Sequence, residues 1–548
     1  MNITDIDSVI KQMDAYINTT PETPEEYEEL ILSWEKFKDF TQEEISLRSL
    51  AYSLNTSDSK AKEEYSYLIK NLIPMLMQKE KEFLDNILES DFRETLPVER
   101  WGVYIKRAWV EKELFNEKNI DLIKEDMLLS QEYVSLIGNT KAVINGKQMT
   151  VKKASSRLED PDREIREKAF RAIFKANLAN REKINSIYDR LVRLRKDISE
   201  NAGTFDYNSY MFKAKYRFDY TRDDCRRIHS LIEKYFVPLK KEILLKHKKR
   251  AGLDVLRPWD IRFDSRGENK IKPFENTDEL VEKIHTLFAG LDPELGVLFN
   301  RMKEKDLLDL DNRDGKAPGG FMMRLKNRRM PFIFANMTGV VKDVGTLLHE
   351  SGHAFHYLLS CDKDPQMNTT HEFSEVASTA MEYLGLPHLK GLFFDEDEFE
   401  RVKQEHFEGV IKLFVWVAMV DAFQLWVYEN PDCSIREREE YWKSLEDRFG
   451  TGLIDNSGFE EVLYTRWQRQ HHIFRAPLYY IEYAISQIGA LQLWQNSLKD
   501  LSGTISKYKM ALRQGGDRSI PELYKLAGIR FAFDEDMISS LATSIKNS

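Results

Sequence analysis

Along most of this chain apolar residues recur every three or four positions, the spacing that collects them on one face of an α-helix. Thr23-Pro24-Glu25-Glu26 reads as a helix start, with Thr at the cap, Pro at the first helical position and Glu three residues on. The segment that follows, YEELILSWEKFKDF, keeps the helical period. Asp160-Pro161 predicts a second start, continued by EIREKAFRAIFKANLANREKINSIYDRLVRLRK with Ile165, Phe170, Ile173 and Phe174 among its apolar positions. Strand-like alternation is scarce. It is clearest in Ala142–Val151, where Asn145-Gly146 suits a tight hairpin turn, and in Pro331–Met337 (PFIFANM), which follows the turn residues Pro318-Gly319-Gly320. From Val341 a further helix carries VKDVGTLLHESGHAFHYLLS. The pattern predicts a mainly α protein, with an N-terminal helical lobe over residues 1–195 and a second, mostly helical lobe over 196–548.

Composition narrows this picture. In 548 residues, 42% hydrophobic and 31% charged, there is ample material for a large core and no sign of a disordered chain. The net charge of −10, without a stripe of Lys and Arg, argues against a nucleic-acid partner. The N-terminus MNITDIDSVIKQMDAY is polar, and no window approaches the apolar length of a bilayer span, so no membrane association is expected. Three widely separated cysteines, Cys225, Cys361 and Cys433, make no disulfide framework and fit a reducing compartment. A cytoplasmic location is the expectation.

Chemistry concentrates at residues 349–353, His-Glu-Ser-Gly-His. On a helix, positions i and i+4 stand one above the other, so His349 and His353 can reach one cation, while Glu350 can meet a water bound beside it. Zinc suits such a donor set and sharply lowers the pKa of its water. With 11 His in the chain, chance supplies the pattern in about 0.02 of sequences of this composition. The apolar neighbours Val344, Leu347, Leu348, Phe355 and Leu358 predict that this helix is buried.

The third donor is less determined. One class of zinc peptidase continues the motif with Gly and then His, but those positions hold His356 and Leu359. The alternative is a Glu on a later helix, and HEFSEVASTAMEYLG offers Glu372, Glu375 and Glu382. Glu372 lies 372 − 353 = 19 residues after the second His and Glu375 lies 375 − 353 = 22 after it; being three apart, they share a helix face. Spacing alone leaves both open. His356, about 10.5 Å of helix rise from His349, suits packing better than a shared tetrahedral site.

Three ordered blocks carry a resemblance: PFIFANMTGVVKDVGTLLHESGHAFH, then EFSEVASTAMEYL, then RWQRQHHIFRAPLYYIEYAISQIGALQLW at residues 466–494. Together they resemble the oligoendopeptidase F branch of the thimet oligopeptidase family. The resemblance implies a largely helical fold of two lobes enclosing a deep channel, with a small β-sheet beside the metal-binding helix. It also implies one zinc per chain, with Glu375 as third ligand, and His472 and Tyr483, with Tyr480 nearby, as residues acting on substrate. The doublets His471-His472 and Tyr479-Tyr480 leave that register open by one residue. A Tyr hydroxyl or His N–H aimed at the oxyanion of a tetrahedral intermediate would stabilise it more than the planar ground state. PFIFANM is expected to offer a sheet edge on which a peptide pairs backbone to backbone.

The reading that follows is a zinc endopeptidase of short peptides with Glu350 as general base. Two rivals remain: a zinc aminopeptidase using Glu372, which lacks the acidic strand such enzymes use for a free amine, and a non-catalytic scaffold stabilised by zinc. A structural zinc is usually closed by four protein ligands, often Cys, unlike the three donors here.

Overall fold

The computed structural model describes residues 3–266, 271–317, 319–365 and 369–548. It is 71% helical with two small sheets, the mainly α class expected from the periodicity. The helix Pro24–Leu54 begins as its sequence demands: the Thr23 hydroxyl accepts the Glu26 N–H at 3.2 Å, and Pro24 occupies a position whose N–H would have no partner. The hairpin also forms, pairing β1 (Lys141–Ile144) with β2 (Lys147–Thr150). Asn145 and Gly146 take φ of 52° and 75°, the left-handed conformation that a two-residue turn requires.

The helix expected from Asp160-Pro161 starts later and is divided. Asp162 caps Arg163–Leu178, and the chain turns at Ala179 and Asn180 before Arg181–Asn201. The Asn180 amide donates to Thr140 Oγ1 at 2.8 Å, a tertiary bond that helical periodicity does not reveal.

Packing divides the chain into two units. The first comprises residues 1–115, 271–402 and 486–531, and the second residues 116–270, 403–485 and 532–548. The expected border at residue 195 thus falls inside the helix Arg181–Asn201. Residues 116–195 belong to the second unit because their aromatic and charged side chains are bound there. Tyr133 stacks on Phe474 at 3.7 Å and its hydroxyl donates to the Gln468 carbonyl at 2.9 Å, while Arg195 donates to Asp126 and to the Tyr428 hydroxyl.

A three-stranded sheet in the first unit runs in the order β3 (Leu308–Asp311), β5 (Met330–Met337), β4 (Phe321–Leu325), with β3 parallel and β4 antiparallel to β5. PFIFANM therefore lies in the central strand, paired on both sides, and is not the free edge expected. Of the turn residues ahead of it, Pro318 lies outside the described residues and Gly319 has φ of 109°. After β5 the Asp343 carboxylate accepts the backbone N–H groups of Thr338, Gly339 and Val340 at 2.6, 2.8 and 3.1 Å. These bonds anchor the start of the helix Val341–Ser360.

The long helix Glu396–Glu429 departs from the expectation of no membrane-length segment. Its most apolar 18-residue window reaches a mean hydropathy of 1.8, and 78% of that window is buried inside the protein, where Phe414, Val415 and Val417 supply core contacts. Internal packing accounts for its apolarity.

Candidate active site

The helix Val341–Ser360 turns Val344, Leu347, Leu348 and Phe355 into the core, as the spacing predicts. His349 and His353 project together from another face, their ring centroids 5.0 Å apart. The helix His371–Gly385 packs directly against this one, and Gly352 permits the close approach. A Cβ at residue 352 would stand 2.6 Å from both the Ala377 carbonyl oxygen and the Ser378 Cα. Contact at this range brings Glu375 to the histidines. Its Oε2 lies 3.4 Å from His349 Nε2 and 3.8 Å from His353 Nε2, while Ser378 Oγ donates to the same oxygen at 3.2 Å.

The outer sides of both rings are also engaged. His349 Nδ1 is 2.8 Å from Glu382 Oε1, and His353 Nδ1 is 3.3 Å from Ser374 Oγ. A carboxylate can only accept, so His349 Nδ1 carries a proton, and Nε2 is the nitrogen that faces the centre. Glu382, one of the three acidic candidates, thus orients a ring. Glu372 is buried elsewhere, its charge acting on the Tyr524 hydroxyl, which burial and this carboxylate together push upward. Among the described residues, the only His, Cys, Asp and Glu side chains grouped closely enough to hold a metal are His349, His353 and Glu375, their donor atoms within 4.8 Å of one another.

Electrostatics call for a cation at this centre. Burial pushes His353 down to about 3, so the ring is neutral and able to donate a lone pair. Burial also disfavours charge on His349, but the hydrogen bonds and charges of Glu375 and Glu382 outweigh it and raise its pKa well above the usual value. Two lone-pair atoms 3.4 Å apart, His349 Nε2 and Glu375 Oε2, are stable together only with a proton or metal between them. Donors about 2.0–2.2 Å from a tetrahedral ion stand about 3.3–3.6 Å apart; the 3.4 Å between His349 Nε2 and Glu375 Oε2 matches that spacing, and the 3.8 Å between His353 Nε2 and the same oxygen is slightly wider. His356 is outside the group. It is buried edge-on against Phe373 at 5.8 Å, burial holds it at about 3, and its Nδ1 has no hydrogen-bond partner among the described residues.

Glu350 is 8% exposed, and burial pushes its carboxyl up to about 7, the neighbouring His349 opposing. Its carboxylate accepts the backbone N–H of Met322 in β4. The register explains this bond. Ile333, opposite Met322, sends its N–H towards β3, to the Leu307 carbonyl at 2.9 Å. Met322 and Ile333 are therefore a pair without mutual hydrogen bonds, and Met322 directs its own N–H outward from the sheet. The outer edge of β4 therefore passes beside Glu350.

His472, Tyr480 and Tyr483 belong to the second unit and cluster there. The His472 ring has Tyr479, Tyr480 and Tyr483 at centroid distances of 5.8, 5.1 and 5.9 Å, and its Nε2 is 3.5 Å from the Tyr483 hydroxyl. The other member of the doublet, His471, packs against Tyr133 at 5.5 Å. Tyr479 lies under the Lys215 ammonium at 4.9 Å, and burial pushes the Tyr480 hydroxyl up to about 12. The turn leading to these tyrosines contains Leu478 at φ of 57°, a conformation unfavourable for Leu. Arg217 holds it, donating to the Leu478 carbonyl and, at 2.7 Å, to the buried Glu482 carboxylate. Sequence reasoning missed Arg217, Glu482, Gln470 and Trp416. Gln470 and Glu482 lay within the third block, where a buried acid among tyrosines was the available signal; Arg217 and Trp416 carried none.

The chain matches Peptidase family M3 over residues 156–543 and the Peptidase M3 N-terminal domain over residues 1–115. It belongs to peptidase family M3. It is 23% identical over 442 residues to Oligopeptidase PepF of Bacillus subtilis (strain 168), covering 74% of this chain and 62% of that protein. It is also 23% identical over 241 residues to an Oligoendopeptidase F homolog of Borreliella burgdorferi, covering 42% of this chain and 40% of that protein. The chain thus spans less than two thirds of the length of these relatives. Its fold is similar to that of PZ peptidase A, solved with an inhibitor, at a TM-score of 0.91 and 26% identity, covering 100% of this chain and 97% of that one. The resemblance to the oligoendopeptidase F branch read from the three blocks is borne out.

Proposed function

We propose that this protein is a zinc-dependent endopeptidase that hydrolyses internal bonds of short peptides. The observation that carries the reading is the convergence of His349 Nε2, His353 Nε2 and Glu375 Oε2, with the Glu350 carboxylate on the same helix. His349, His353 and Glu375 would hold one zinc ion per chain. Bound there, zinc would polarise the scissile carbonyl and make water a stronger acid near neutral pH. Glu350 accepts the proton of the attacking water at its carboxylate and passes it to the leaving amine. His472 and Tyr483, joined by Tyr480, donate to the oxygen that becomes negative as the carbonyl carbon turns tetrahedral. The outer edge of β4 receives the peptide backbone, so binding makes few demands on side chains.

The exclusion of Glu372 from the group of donor atoms counts against the aminopeptidase alternative, and three donors with a carboxylate beside them on the same helix count against a purely structural zinc. The test is metal analysis of the purified chain combined with digestion of peptides blocked at both ends. Roughly one zinc per chain is expected, with internal cleavage abolished by chelator and restored by zinc. Cleavage unaffected by chelator in metal-free protein would sink the zinc reading, and release of single residues from free N-termini only would sink the endopeptidase reading.

A further inference from the structure

Gln470 sits immediately before the short helix His471–Arg475, and its side-chain amide touches two groups of fixed hydrogen-bonding character. Trp416 Nε1 lies 2.9 Å from Gln470 Oε1, and Gln470 Nε2 lies 2.7 Å from His472 Nδ1. An indole N–H can only donate, so the amide atom facing Trp416 must be the oxygen. The other end is then the NH2 group, which can only donate, and His472 Nδ1 must accept. A neutral imidazole with a bare Nδ1 carries its proton on Nε2. Turning the amide over would set two donors against each other at 2.9 Å.

The anchor is itself held. Trp416 belongs to the helix Glu396–Glu429, packs edge-on against Trp442 at 5.6 Å, and lies under the Arg466 guanidinium at 5.2 Å. The far side of the His472 ring, where Nε2 approaches the Tyr483 hydroxyl at 3.5 Å, then presents an N–H and an O–H side by side.

We propose that Trp416 and Gln470 form a relay that sets the tautomer of His472, keeping Nδ1 as acceptor and Nε2 as donor, and so act as positioning residues for the reaction. The inference rests on the reading of His472 as a donor to the developing oxyanion. A donor must carry its proton before charge appears; the opposite tautomer would turn a lone pair towards that oxygen and repel it.

The decisive variant is Gln470→Glu. One carboxylate oxygen still accepts from Trp416, but the other can only accept from His472, which puts a proton on Nδ1 and, in the neutral ring, bares Nε2. Nitrogen NMR of protein labelled at histidine, with the His472 signals assigned through His472→Phe, reads the tautomer directly. In the native protein Nδ1 should be bare and Nε2 protonated; in Gln470→Glu, Nδ1 should be protonated. Cleavage of a blocked peptide should slow about 100-fold in kcat, the scale of losing one oxyanion donor, with KM essentially unchanged. Trp416→Phe, which preserves the ring stack but removes the N–H, should give a mixture of tautomers and a smaller loss of kcat. A native ring protonated at Nδ1, or an unchanged tautomer in Gln470→Glu, overturns the relay, as does a reversed tautomer with unchanged kcat in an enzyme that needs His472. Full activity of His472→Phe would instead overturn the oxyanion reading, and the ring signals would still decide the relay.

Discussion

In the helix pair Val341–Ser360 and His371–Gly385, every polar group of the proposed metal site hangs from regular helix. Residues 466–480 reach their arrangement through helical turns of four and five residues, Arg466–Arg469 and His471–Arg475, joined by irregular backbone with a left-handed Leu478, ahead of the helix Ile481–Ser497 that carries Tyr483. In the first region the main chain supplies the geometry, and side chains need only occupy the right rotamers. In the second, side-chain hydrogen bonds from Arg217, Glu482, Trp416 and Gln470 do what helical backbone does in the first. Precision can come from repeated local hydrogen bonds or from a few long-range ones, and the two should fail differently under mutation.

The largest effect belongs to Glu350, the proposed general base. Glu350→Gln should retain zinc, because its side chain bonds to the Met322 N–H and lies outside the donor triad. Its kcat should fall by about 10²–10⁴-fold. Near-native turnover in zinc-loaded Glu350→Gln would assign activation of the water to another group. Next come the three acids of the second helix. Glu375→Gln should weaken zinc affinity most and Glu382→Gln by about 10–100-fold through loss of ring orientation, with Glu372→Gln weakening it least. Competition with a chromogenic chelator gives the ranking, and a larger effect at Glu372 than at Glu375 would reverse the assignment. The smallest effect probes the helix contact itself. Gly352→Ala must push on the Ala377 carbonyl and Ser378 backbone, costing about 1–3 kcal/mol in a thermal or denaturant melt. The same displacement should loosen zinc without touching any donor atom; unchanged zinc affinity would show that the pair tolerates a wider separation.

What could be read from the chain follows this contrast. His349, Glu350 and His353 were legible because one helix places them, and helical periodicity is a local property. Glu375 could be narrowed to a short segment, but spacing left it level with Glu372; only the Gly352 contact and the direction of each side chain separate them. The sheet was misjudged for a related reason. PFIFANM is strongly strand-forming, yet nothing local records that β3 and β4 flank it, so its central position and the exposure of β4 beside Glu350 came from long-range pairing.

The sequence by itself determined the mainly α class, the placing of His349, Glu350 and His353 on one helix, and the family resemblance, since each depends on spacing within a few turns or on ordered blocks of residues. Tertiary structure decided which acid joins the histidines, which strand lies beside Glu350, and which member of the doublet His471-His472 meets the tyrosines, and it sets the contacts from which the proposed tautomer of His472 is argued. Those outcomes hinge on contacts between residues far apart in the chain. A distance of a few tenths of an ångström, or the donor character of a single indole, then selects between choices that local sequence leaves equal.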